Sequence, residues 1–230
     1  IKMKTKLLVP LCLCLGACSG EVVVESSANY QQTLMEALIT AEPGTVIEIP
    51  EGVHEINRGL SLKVDGVTIK GAGMDKSVLS FKNQIQGSEG FMITADNIRL
   101  EGFAVEDTVG DAIKINECRN LVIDGVRVEW TNGPDTDNGA YGLYPVQCEN
   151  VLIENSVAIA ASDAGIYVGQ SQQVVVRRSR AEYNVAGIEI ENTSYADVYE
   201  NVATNNTGGI LVFNMPNLPK PGIATRVYNN

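Results

Sequence analysis

Two glutamates, Glu189 and Glu191, stand two residues apart in the stretch AGIEIEN at 186–192. On an extended strand such a pair shares one face, separated by about 6.6 Å along the chain. Two carboxylates at that reach suit general acid and base work on a glycosidic bond, although any polar strand face offers the same spacing. Asp163, just ahead of the related stretch AGIYVGQ at 164–170, is a third candidate acid. Lys114, Tyr144, Tyr167 and Phe213 hold matching positions in sister stretches. Aromatic rings beside carboxylates are a common way to build a sugar-binding surface, with rings packing on pyranose faces and acids taking hydroxyls. The plain alternative is a solvated sheet face with ordinary cross-strand packing. Lys114, or the cluster Arg177, Arg178 and Arg180, offers a base or a charge clamp for removing a proton beside a carboxylate. Clustered arginines more commonly balance surface charge.

A repeat places these residues side by side. Gly142, Gly165, Gly187 and Gly209 are spaced 23, 22 and 22 residues apart, and each opens a short alternating strand. The frame reaches back to Asp111-Ala112-Ile113-Lys114-Ile115-Asn116. A second strand follows in each unit, LVI at 121–123, VLI at 151–153 and VVV at 174–176. A period of this length, with strand, polar turn, strand, polar turn, predicts a solenoid of stacked coils about 4.8 Å apart. The predicted fold is all-β, a right-handed single-stranded parallel β-helix. Two positions after each Gly come Tyr144, Tyr167, Glu189 and Leu211, with Lys114 before them; four after come Val146, Gly169, Glu191 and Phe213. One outward face therefore presents Lys, Tyr and Glu in adjacent rungs. The insertions at 131–139 and 216–222 flank this face and are expected to wall it as a groove.

Other columns read as structure. Gln147, Gln170, Asn192 and Asn214, with Glu117, form a column of turn amides expected to bond from rung to rung. The next column holds Cys118 and Cys148 on adjacent coils, close enough for a disulfide; a bond and two buried thiols both remain open. Asp135 and Asp137 offer oxygen ligands for Ca²⁺, but the loop lacks a distal Glu and reads more simply as a plain turn. No other cofactor is expected. His54 is the single histidine, and its place near the start reads as structural; no Ser-His-Asp or Cys-His constellation can be built.

The start of the chain reads as a targeting segment. Lys2, Lys4 and Lys6 precede an apolar run from Leu7 to Ala17, too short to span a bilayer as a mature helix. Leu15-Gly16-Ala17-Cys18 resembles the lipobox of bacterial lipoproteins. That resemblance implies a signal peptide over 1–17, acylation of Cys18, a linker over 18–28, export, and an outer-membrane lipid anchor. Removing residues 1–17 takes three lysines and no acid, leaving 14 basic against 28 acidic residues, net −14. Such a surface excludes nucleic acid as a partner and disfavours polyanionic sugars unless a cation bridges them.

Residues 29–41 (NYQQTLMEALITA) have helical spacing, with Leu34, Ala37 and Leu38 on one face. Helix, then GTVIEIPEGVHEI, then repeats resembles the N-terminal cap of pectate-lyase-like right-handed parallel β-helices. The resemblance covers 29–230, with the cap over about 29–60 and no matching cap after Tyr228, so the coil stack reads as incomplete at that end. It implies a polysaccharide or cell-envelope partner and, for an enzyme, lyase, epimerase or glycoside hydrolase chemistry. The catalytic stretches of mannuronan epimerases and polygalacturonases are missing, so no family catalytic residue carries over. A non-catalytic periplasmic scaffold or accessory protein and a structural solenoid are the alternatives.

Overall fold

The structure is a computed structural model that describes residues 20–23 and 29–230. The signal peptide expected over 1–17 and the acylated Cys18 lie outside the described residues. Within the stretch read as a linker, Glu21–Val23 forms a strand that pairs in parallel with Val46–Glu48.

The chain winds as a right-handed parallel β-helix with three sheets. A nine-stranded sheet runs from Glu21–Val23 to Arg226–Tyr228. A seven-stranded sheet, here the site sheet, runs from Arg58–Leu62 to Gly208–Phe213. A third, also of seven strands, runs from Gly52–Glu55 to Val202–Thr204. One coil is Ala164–Gly169, Gln172–Arg177 and Arg180–Glu182. The third strand of each coil was hidden in the sequence because three residues such as Val157–Ile159 or Arg180–Glu182 are too few to show an alternation.

Rungs meet in register. Ile113, Leu143, Ile166, Ile188 and Ile210 stack in one inward column, and all but the last are buried. Burying each such side chain contributes about 1.5–3 kcal/mol, and no coil could gain that alone. The repeated glycine sits where a rung crowds the turn of another. A Cβ on Gly165 would stand 2.6 Å from Nδ2 of Asn184 and 3.1 Å from Ala158.

The corners hold the polar part of the interior. Glu117, Gln147, Gln170 and Asn192 all take positive φ, between 45° and 56°, which turns the chain from the site sheet into the nine-stranded sheet. Their expected amide column is mostly absent. Gln147 reaches Gln170 at 3.4 Å, but Asn192 donates to the carbonyls of Met215 and Lys220, and Asn214 pairs with Gly222. An outer amide ladder forms instead at Asn97, Asn120 and Asn150. The inner stacks come from the residue after each corner. Ser171 Oγ accepts from the Cys148 N–H and Thr193 Oγ1 from the Ser171 N–H. Ser179 and Asn201 do the same for Ser156 and Ser179 at the next corner, and Asn184 and Asn206 for Ala161 and Asn184 at the last. Buried amides that the sheets leave over are thereby bonded.

Cys118 and Cys148 continue the first of these stacks as free, buried thiols, so the disulfide left open by the sequence is not formed. Side chains on parallel rungs point the same way, and the sulfurs lie side by side, with Cys148 Sγ turned to the carbonyls of Val146 and Ile115 at 3.4 and 3.8 Å.

At the start, the Tyr30–Thr40 helix buries Tyr30, Leu34, Ala37 and Leu38 over the first coils. His54 is structural: its ring stacks on Tyr30 at 4.0 Å and its Nε2 lies 3.0 Å from the Pro50 carbonyl.

Candidate functional site

The outward face of the site sheet gathers the expected residues. Lys114 pairs with Tyr144, Tyr167 with Glu189 and Glu189 with Leu211; Gly169 pairs with Glu191 and Glu191 with Phe213. Tyr141, which the sequence reading passed over, joins Tyr144 and Tyr167 in a three-ring cluster, with centroids 4.4, 4.9 and 4.9 Å apart. These rings, with Val146 and Leu211, pack on the small side chains Ala164 and Ala186, outside the main core.

The rings divide into two roles. Tyr141 and Tyr144 are half-buried and present their rings outward. Tyr167 is only 7% exposed, so it is not the open stacking platform its position suggested. Its hydroxyl donates to Glu191 Oε2 at 2.7 Å. Gly169 makes that reach available: a Cβ there would stand 2.5 Å from the Tyr167 ring. Burial and the Glu191 carboxylate both hold the Tyr167 phenol well above its ordinary range.

Glu189 is 9% exposed. Burial, then Asp163, then Glu191, push its carboxyl up to about 7, so near neutrality it carries a proton much of the time. Among the described residues, none hydrogen-bonds that carboxyl. Asp163 stands at the entry edge of the strand and also faces the Tyr141 hydroxyl, whose pKa rises through burial and that carboxylate. At the other end Lys114 Nζ donates to Asp111 at 3.4 Å, lies 3.9 Å from Glu89 and sits 4.9 Å over the Tyr144 ring. Asp111 is a second residue the sequence reading missed as a site member; burial raises its carboxyl despite Lys114.

The remaining candidates fall elsewhere. Phe213 lies beside Glu191 on the next rung, half-buried. Arg177 and Arg178 hold Glu154, and Arg180 holds Glu182, on the other two sheets. They are surface charge balance and give the face no base. Asp135 accepts the Asp137 amide at 2.9 Å in a tight turn. Among the described residues no group of three or more His, Cys, Asp or Glu is placed to hold a metal. The 131–139 insertion does border the face, since Asn138 bonds the Ala160 carbonyl and Ser162 bonds Asn138. The 216–222 insertion does not wall it. That loop folds over the neighbouring corner, where Pro219 and Lys220 close a groove of about 510 Å³ floored by Cys118 and Cys148.

A family model described as the right handed beta helix region matches residues 65–221. The chain belongs to that β-helix family. No curated protein matches it in sequence. Among solved structures, the alginate lyase from Paenibacillus sp. str. FPU-7 is similar with a TM-score of 0.53 at 15% identity, over 86% of this chain and 93% of that one. The Agl-KA catalytic domain gives 0.53 at 14% identity, over 96% of this chain and 49% of that one. The catalytic domain of a GH87 alpha-1,3-glucanase in complex with tetrasaccharides gives 0.50 at 18% identity, over 80% of this chain and 38% of that one. This β-helix thus spans less than half the length of the latter two. At such identities the likeness is one of fold alone.

Proposed function

We propose that this β-helix binds a polysaccharide across the Tyr141, Tyr144, Glu189 and Glu191 face and hydrolyses it, with Glu189 as the general acid. The observation that carries the reading is the largely covered Glu189 side chain, whose carboxyl takes no hydrogen bond from the described residues and stands among Asp163, Glu191 and the tyrosine cluster. A carboxyl held protonated near neutrality can give its proton to a leaving glycosidic oxygen, while a second carboxylate activates water or attacks the sugar. Asp163 and Glu191 flank it as candidates for that second role. Tyr167 fixes Glu191 by its hydrogen bond, and Tyr141 and Tyr144 supply ring faces for the sugar. The alginate lyase and the glucanase bound to tetrasaccharides support a polysaccharide partner by fold analogy. Lyase or epimerase chemistry is less well served, because Lys114 is already engaged by carboxylates.

The test is a polysaccharide panel scored for binding and for new reducing ends. The expected result is release by the wild type, abolished in Glu189→Gln with binding retained. Binding without products in the wild type would leave a carbohydrate-binding module and remove the hydrolase reading. We place the protein outside the inner membrane, tethered through Cys18, on the lipobox-like Leu15–Cys18 run alone. A labelled fatty acid should enter the wild type and not Cys18→Ser; equal labelling would refute the anchor.

A further inference from the structure

Charge on the face is lopsided. Asp111, Asp163, Glu189 and Glu191 surround the three rings. Lys114 is the base placed among them, and it lies wholly at the Asp111 end. The arginines of the adjoining sheets are held by carboxylates of their own, Arg177 and Arg178 on Glu154, Arg180 on Glu182 and Arg119 on Asp96.

Lys114 shows what the face accommodates. Its ammonium group is cradled by two carboxylates, Asp111 and Glu89, and lies over the ring of Tyr144. Cation, paired acids and an aromatic face form one recognition unit. The other end offers the same parts without the cation: Asp163, Glu189 and Glu191 beside Tyr141 and Tyr167. There the Glu189 side chain is nine-tenths buried, and no hydrogen bond from a described residue reaches its carboxyl. Its oxygens are not sealed from solvent, so a cationic ligand can reach them. Burial is the larger reason this carboxyl holds its proton, and the field of Asp163 and Glu191 adds to it; that field also draws a small cation to the spot. A uronate or sulfated sugar would add like charge with no free base to receive it.

We propose that the Asp163, Glu189 and Glu191 end of the face is an ammonium subsite, and that the preferred glycan carries free amino-sugar units. The inference rests on the polysaccharide reading above. A glucosamine unit would set its ring beside Tyr141 and Tyr144 and its ammonium group between Asp163 and Glu191. Its charge would draw the proton from Glu189 at lower pH than a neutral sugar does.

The test compares, by calorimetry, three oligosaccharides of equal length: the glucosamine tetramer, its N-acetylated counterpart and a galacturonate tetramer. The expected result is at least tenfold tighter binding of the free amine than of the N-acetylated form. The gap should shrink as salt rises and close in both Glu191→Gln and Asp163→Asn, with circular dichroism checking that each variant folds. The galacturonate should not bind. Equal binding of the free and acetylated forms, or preference for the galacturonate, would overturn the subsite while leaving the glycan-binding face standing. Binding of none of the three, nor of any neutral glycan, would overturn both.

Discussion

Glu189 is where environment alters chemistry most. An acid at the surface titrates near 4.5, and this one is held at about 7 by burial and two neighbouring carboxylates. If it is the general acid, cleavage falls as pH rises through about 7 and the proton is lost. A rate profile for a neutral substrate checks this; a falling limb near the ordinary carboxylate range would refute the assignment. The same shift has a stability consequence of fixed sign. The folded protein holds the proton more tightly than the unfolded chain, so stability falls between about pH 4.5 and 7 and this contribution levels off above that. Glu189→Gln should flatten that part of a melting-temperature profile. The Lys, Tyr and Glu columns were legible in the sequence because rung stacking turns spacing into neighbourhood. Tyr141 and Asp111 were not, because each stands one residue ahead of the small residue, Gly142 or Ala112, that starts the strand's visible alternation. Nor was the burial of Tyr167, which depends on three small neighbours, Ala164, Ala186 and Gly169, that carry no signal of their own.

At the level of the strand, Gly169 decides the geometry. Its missing Cβ lets the Tyr167 ring lie across the sheet to Glu191. Gly169→Ala should force the ring aside, and the ring has little room because Tyr141 and Tyr144 pack against it. We expect a cost of about 1–3 kcal/mol from overpacking, together with a loss of turnover larger than the loss of affinity. Denaturant unfolding and steady-state kinetics measure the two separately. An alanine variant with unchanged turnover would show that the Tyr167 hydrogen bond does not position Glu191. Strands of six residues announced themselves by repetition; strands of three did not. The corner stacks were also invisible, because Ser171, Thr193 and Asn184 look like ordinary turn residues until their hydroxyl and amide oxygens are seen accepting from the coil before.

At the level of the molecule, the solenoid is held coil by coil, so damage at one end should stay local. The Tyr30–Thr40 helix closes the first coils through Leu34 and Leu38, each 1% exposed. Leu38→Ala should cost about 2–5 kcal/mol. Hydrogen exchange should then rise across residues 46–62 while residues 164–191 keep their protection. Uniform loss of protection along the chain would mean that the β-helix unfolds as one cooperative unit.

The inner stacks run in one direction. The buried amide of Cys148 is bonded 23 residues later by Ser171, and that of Ser171 22 residues later by Thr193. A coil therefore leaves its own accounts open until its successor arrives. Cutting out part of a coil would strand amides in the preceding one, whereas removing or duplicating a whole coil would hand each amide an equivalent partner. Length in such a molecule is quantised: it can change by one complete turn, or by extra chain looped out at a corner. Residues 131–139 are an instance of the second, and they fall at the edge of the tyrosine and glutamate face.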